Sequence, residues 1–225
     1  MTVTADRTVG ELAVEHPLAT RVFARHRIDF CCGGGKPLSE ACAKRNLDVE
    51  VILVEIEKEL TRNDVSAQRW DEAPLKDLIE FILFNYHRPL DEELPRIETM
   101  ADKVLKVHGE KDPETLSGIL STFRALKAEL EQHMAKEEQI LFPMIQQGQG
   151  AMAGGPISVM EHEHESAGAA LVQLRKLTND YVVPAAACNT WRALWHGLEA
   201  LEESLHQHIH LENNILFPRA LSSGR

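Results

Sequence analysis

The chain has 225 residues, 44% of them hydrophobic, and a formal net charge of −11. That length buries a sizeable core without crosslinks, in one large domain or two unequal ones. An acidic chain with no dense block of Lys or Arg argues against nucleic acid and anionic membranes as partners, and it has no apolar run of about 18 residues to span a bilayer.

Met1 to Gly10 is polar and lacks the apolar stretch of a secretory signal. A reducing cytosol is therefore expected, with Cys31, Cys32, Cys42 and Cys188 as free thiols. Thr8-Val9-Gly10-Glu11 has capping-box spacing and predicts a short helix after Thr8. Pro17 suits the first turn of a second helix reaching about Arg25. Three consecutive glycines make residues 30–37 a loop, and residues 38–45 and 49–61 predict two more helices, the last capped by Asp48. Residues 1–65 thus read as a small helical domain.

Residues 62–73 are polar and mixed, and Pro74 opens a second domain over 74–221. Four longer helical patterns fill it, at about 74–107, 113–145, 156–181 and 184–219. Pro89 and Pro95 lie inside the first, which should bend or break near its middle. Strand-like alternation is nearly absent, so the fold class is all-α: a small N-terminal helical domain plus an antiparallel four-helix bundle.

An internal repeat carries most information. Residues 130–143 read LEQHMAKEEQILFP and residues 205–218 read LHQHIHLENNILFP, an offset of 75 residues. Pro143 and Pro218 should each end a helix. His133 and Glu137 are four apart, as are His208 and Glu212, so each pair shares one helix face. That face is apolar: Leu126, Leu130 and Leu141 flank the first pair, and Leu201, Leu205 and Ile215 the second. A buried, unpaired carboxylate costs several kcal/mol or shifts its pKa until it is neutral. Two in one core call for compensating positive charge, and a pair of cations supplies it.

Further histidines lie in phase on the other two apolar stripes. His87 sits with Leu83, Leu90, Leu94 and Ile97; His164 sits with Met160, Ala167, Leu171 and Leu174. His162 falls on the opposite face, and His206 and His210 share a polar face with Glu202, Glu203 and Asn213, so these three read as solvent-facing. Each half of the repeat then gives one lone His and one His-x-x-x-Glu. The candidate metal ligands are His87, His133, Glu137, His164, His208 and Glu212. With both Glu bridging, two metals each receive two His and two shared carboxylates, a set suited to iron or manganese, with positions open for water, an oxo bridge or a small gas. Glu129 and Glu163 read as supporting groups or as residues along an access path, with a solvated charge the equal alternative for each. The competing reading of the whole constellation is a bundle with two buried His–Glu ion pairs, which is costly and unnecessary.

The bundle resembles hemerythrin-like domains. Over its whole length the chain is similar to the RIC family, bacterial iron–sulfur cluster repair di-iron proteins. The residues that carry this are Asp29-Phe30-Cys31-Cys32-Gly33-Gly34-Gly35, Tyr86-His87, His133 through Pro143, Glu161 through Gly168, and His208 through Pro218. The resemblance implies the same six ligands for two oxo- and carboxylate-bridged non-haem iron ions. It implies a cytoplasmic protein that restores clusters damaged by nitric oxide or peroxide, through iron delivery or nitric oxide chemistry, with damaged iron–sulfur proteins or assembly scaffolds as partners. Other classes are a nitric oxide or oxygen scavenger or sensor, a nitric oxide reductase, and a thiol protein whose bundle stores iron. Four His and two carboxylates, where oxygen-carrying hemerythrins use five His, weaken an oxygen-carrier reading. The small domain offers surface for a homodimer.

In the loop, glycines leave Cys31 and Cys32 poorly shielded, and Lys36 with the following helix N-terminus can lower a thiol pKa. Redox exchange, transient metal or cluster handling, partner docking and a plain tight turn all fit. With the resemblance, Cys31 and Cys32 become candidate redox or transfer thiols. Cys42 and Cys188 read as core residues.

Overall fold

A computed structural model describes residues 3–61 and 68–223. Its regular structure is helical, with no strand beyond an isolated bridge between Thr8 and Pro37 among the described residues. Four short helices come first: α1 (Val9–Glu15), α2 (Ala19–Arg25), α3 (Leu38–Ala43) and α4 (Val49–Leu60). Thr8 and Glu11 close the expected capping box on α1, and Asp48 caps α4 through the Glu50 amide. Val9, Leu12, Val22, Phe23, Phe30, Leu38, Ile52 and Ile56 form one apolar core among them.

The remaining helices are α5 (Leu75–Ile82), α6 (Arg88–His108), α7 (Pro113–Lys136), α8 (Phe142–Gln146), α9 (Gly154–Leu177), α10 (Asn189–Leu211) and α11 (Phe217–Ser222). Helices α6, α7, α9 and α10 pack in cyclic order, each against two neighbours, as a four-helix bundle. Of the expected polar linker, residues 62–67 lie outside the described residues. The rest of it is held down: Arg219 donates to the carbonyls of Trp70 and Ala73, and the Trp70 ring lies 4.4 Å from Phe81.

The prolines act differently from expectation. Pro143 and Pro218 do not end their helices. A five-residue π-turn, Glu137–Leu141, joins α7 to α8, and another, Glu212–Leu216, joins α10 to α11. A third, Leu83–His87, joins α5 to α6, so the first helix widens before Pro89 and then runs on through Pro95. In each case the next residue's amide reaches back five positions, Arg88 to Leu83, Phe142 to Glu137 and Phe217 to Glu212, and a proline follows one residue later. The proline ring meets a widened turn instead of a tight α-helical one, and it has no N–H to place.

The π-turns also keep the apolar stripe in phase. His133, Glu137, Leu141 and Ile145 are all buried at steps of four, as are His208, Glu212, Leu216 and Ala220. In a straight α-helix each such step drifts by roughly 40°. A turn of more than four residues cancels that drift.

Two apolar clusters fill the bundle. One holds Leu90, Leu94, Leu126, Leu130, Ala167, Leu171 and Leu205; the other holds Ile82, Leu141, Phe142, Met160, Leu211, Ile215 and Phe217. On every helix the candidate ligands lie at the boundary between these two sets. They make a polar layer with apolar side chains on both sides.

Candidate metal centre

The π-turns position three of the six residues. His87 is the last residue of the first, and Glu137 and Glu212 each open one. His133 and His208 stand one turn earlier on α7 and α10, and His164 lies in the middle of α9. All six are buried, and both glutamates are 0% exposed. Their donor atoms form two groups of four: His87, Glu137, His208 and Glu212, and His133, Glu137, His164 and Glu212. Within each group the atoms lie within 4.8 Å of one another, and both glutamates belong to both groups.

The interior is unsatisfied as polar chemistry. Nε2 of His87 faces Nε2 of His208 at 3.2 Å, and Nε2 of His164 faces Nε2 of His133 at 3.1 Å. Behind three of these rings an acceptor fixes the tautomer: Glu138 on His87 Nδ1 (3.0 Å), Glu163 on His133 Nδ1 (2.9 Å) and Asn213 Oδ1 on His164 Nδ1 (2.8 Å). With Nδ1 so engaged, Nε2 of His87, His133 and His164 is the nitrogen turned toward the interior, while Nε2 of His208 lies 2.9 Å from Glu212 Oε1. Both oxygens of Glu137 and Oε2 of Glu212 also lack an aligned hydrogen bond, although imidazole nitrogens stand 3.1–3.4 Å away. Converging imidazole nitrogens and orphaned carboxylate oxygens at full burial are what a bound cation satisfies. Imidazole and carboxylate donors without thiolate fit iron or manganese.

Charge follows the same logic. Burial alone drags His164 down, but the Glu212 carboxylate outweighs it and lifts the imidazole to about 9. His87 is likewise raised, by Glu137 against burial. Glu212 is held well below the carboxylate range by His208 and His164, in spite of burial. The outer acceptors are themselves fixed: Arg88 donates to Glu138 at 2.8 Å, and Lys136 pairs with Glu163. Such outer groups orient a ligating imidazole and raise its basicity.

Glu163 therefore stands directly behind His133. Glu129 is exposed and accepts a hydrogen bond from Ser166 at 2.9 Å, and both acids line a narrow cavity that reaches His133 and His164. Sequence reasoning missed Glu138 and Asn213. Each directly follows a candidate glutamate, a position with no mark of its own.

His162 is exposed, but His210 is buried and His206 half-buried. The N-terminal segment covers that face of α10 and sets the Phe30 ring 5.5 Å from His210 and 6.3 Å from His206. Glu202 is buried too, accepting from Arg175 and from the Tyr181 hydroxyl at 2.6 Å. Asn214 donates to the Phe30 carbonyl at 3.0 Å and pairs with His210 at 3.0 Å.

Around the double cysteine, Asp29 accepts from the amides of Cys31 and Gly33, and Cys32 Sγ lies 3.6 Å from the His164 carbonyl oxygen. Cys31 is buried and only Cys32 is exposed, so the glycines do not bare both thiols. The hydrogen bond between the two thiols, then burial, pushes Cys31 up; the same bond draws Cys32 down. Lys36 pairs instead with Glu40 at 3.4 Å. Cys42 is buried as expected, whereas Cys188 is exposed. It precedes the apolar stripe of α10 as the residue before its first turn, with Sγ 3.3 Å from His108 Nε2.

A four-helix bundle enclosing a His/Glu layer of this kind defines a hemerythrin-like cation-binding protein. Residues 78–220 match the family model described as hemerythrin HHE cation binding domain, and residues 5–60 match ScdA_N, described as a domain of unknown function (DUF542). The chain is 48% identical over 216 residues to the iron-sulfur cluster repair protein YtfE of Pectobacterium atrosepticum, covering 96% of this chain and 97% of the relative. The protein of that name from Yersinia pseudotuberculosis is 47% identical with the same coverage. The chain belongs to this family of YtfE iron–sulfur cluster repair proteins.

Proposed function

We propose that this protein holds two iron ions, one between His87 and His208 and one between His133 and His164, with Glu137 and Glu212 shared, and that it repairs damaged iron–sulfur clusters in the cytoplasm. The observation that supports the metal assignment is the pair of fully buried glutamates, three of whose four oxygens lack an aligned partner, amid four converging imidazoles. The repair role is supported by relatives that bear that name across almost the full chain. No helix among the described residues is long and apolar enough to cross a membrane.

Bound iron supplies redox chemistry and open coordination positions for a small ligand. The residues do the rest. Glu137 and Glu212 neutralise the cations, while Glu138, Glu163 and Asn213 hold the imidazoles with Nε2 free to ligate. The two flanking apolar clusters exclude bulk water and strengthen each electrostatic contact between them. Cys32 is assigned the thiol role in redox or transfer steps, supported by its exposure and its place against the His164 backbone. The partners of the reaction are iron–sulfur proteins or the scaffolds that assemble their clusters.

The test is reactivation of a cluster enzyme inactivated by nitric oxide or peroxide. Iron-loaded protein should restore activity, and His133→Leu or Glu137→Leu should abolish the effect. Metal analysis should find close to two irons per chain. Failure of the loaded wild-type protein to reactivate any such enzyme removes the repair assignment.

A further inference from the structure

The far end of the bundle carries a second reactive cluster. His108 is the last residue of α6, and Cys188 is the cap residue just before α10. Helix α6 starts next to His87 and runs for 21 residues, which places the pair about 30 Å from the His/Glu layer at ~1.5 Å per residue. Cys188 Sγ lies 3.3 Å from His108 Nε2 and makes no hydrogen bond to the first-turn amides of α10. The thiol is exposed and the imidazole half-buried.

A nucleophile within reach of a base, with the base held by a third group, is the arrangement that activates a thiol. Trp191 is the third group: its ring packs 4.9 Å from the imidazole and is itself wedged 5.7 Å from Trp195. Trp191 is buried with an indole N–H that meets no acceptor, so the ring beside His108 carries a donor that no group of the protein uses. The helix ends act in the same sense. The start of α10 favours the negative charge that develops on sulfur, and the end of α6 favours the positive charge of an imidazole that takes up its proton. One turn into α10, Arg192 donates from Nε to the Ala187 carbonyl at 3.2 Å, which folds the guanidinium back toward the cap. Arg192 is exposed and makes no ion pair among the described residues. A free cation beside an exposed thiol favours an anionic co-reactant.

We propose that Cys188, with His108 as its base, is a modification site that forms mixed disulfides with carboxylate-bearing low-molecular-weight disulfides. Sγ attacks one sulfur of the reagent while His108 Nε2 takes the thiol proton. The new bond from Sγ to that sulfur forms, the reagent's S–S bond breaks, and the leaving thiolate recovers the proton from His108 and departs as a thiol. Cys188 is oxidised and the reagent is reduced, so no further oxidant enters. None of the six candidate metal ligands and neither loop cysteine takes part.

The full-length protein, folded or in urea, is treated with the dianionic dithiobis(nitrobenzoate) or the neutral dithiodipyridine, quenched in acid and mapped by peptide mass. The Cys188 mixed disulfide should form about tenfold faster in the folded protein than in the unfolded chain. His108→Gln, checked for folding by circular dichroism, should remove that advantage with both probes. Arg192→Gln should slow the dianionic probe by about threefold and leave the neutral one unchanged. Cys32 in the same digests should respond to neither substitution, as expected for a local effect. A Cys188 that reacts no faster folded than unfolded overturns the inference without any variant. So does a rate indifferent to His108→Gln in a folded variant. An Arg192→Gln effect equal for the two probes, or absent, overturns the preference for carboxylate-bearing reagents.

Discussion

Replacing Glu137 by Gln should change stability in opposite senses with and without metal. The carboxylate belongs to both groups of four, so its loss disables both positions at once. At a free ion concentration a hundredfold above Kd, each bound ion stabilises the fold by ~2.7 kcal/mol, so two give about 5 kcal/mol. For a chain of this size that is roughly 10–20 °C in the unfolding midpoint. The amide fills the same volume without the charge, and the response of the variant should fall below about 1 kcal/mol. In the metal-free protein both Glu137 oxygens are buried without an aligned partner. Glutamine keeps a carbonyl acceptor and adds N–H donors that can reach the imidazoles, but it removes the buried charge, whose desolvation costs several kcal/mol; part of that relief is lost with the attraction to His87 and His133. Metal-free Glu137→Gln should therefore be as stable as wild type or more so, by about 1 kcal/mol. Thermal melts by circular dichroism, with and without ferrous ion under anaerobic conditions, measure all four midpoints. Equal metal responses in the two proteins, or none in either, would refute the claim that bound cations neutralise these acids.

Glu138→Ala and Glu163→Ala each remove the acceptor behind one imidazole, and metal affinity measured by chelator competition should fall by about 10–100-fold in each. The thiols should separate by peptide mapping after alkylation near neutral pH: Cys32 reacts readily, whereas buried Cys31 stays unmodified until the protein unfolds. Burial holds His210 down at about 4, against the Phe30 backbone. The folded state therefore keeps His210 neutral while an unfolded chain takes up a proton below about 6.5. The stability this group contributes is full above that pH and is lost as pH falls from about 6.5 toward 4, by about 2 kcal/mol between pH 7 and 5. Urea titrations of His210→Gln should lack that share of the acid sensitivity, and an unchanged pH dependence would remove His210 as its source.

Much of this was legible in the chain itself. The helix starts at Thr8 and Asp48 follow from side chains that accept an amide proton, a local property readable residue by residue. The apolar stripes carry His87, His133, His164 and His208 because periodicity alone fixes which face is buried. The π-turns were encoded too, as the runs of four from His133 to Ile145 and from His208 to Ala220, but a Pro inside such a run reads more simply as a stop. His206, His210 and Glu202 were misread for another reason. A polar face says solvent unless a distant segment covers it, and the contact from Phe30 spans most of the chain. Cys188 was misread because a lone small residue before a helix carries no periodicity.

The pairing of the histidines gives the duplicated architecture its purpose. Within each hairpin the lone His is held by the residue after that hairpin's own glutamate: His87 by Glu138, and His164 by Asn213. The facing Nε2 pairs run the other way, joining His87 to His208 and His133 to His164 across the two hairpins. Each hairpin therefore orients its own lone imidazole but supplies only one imidazole to each group of four. A cation placed in either group is bound by both hairpins at once, so its binding energy also acts as hairpin–hairpin association energy. An internal repeat whose halves each carry half of both sites couples metal occupancy to closure of the bundle. A site built wholly within one hairpin would leave the other free to move away from it.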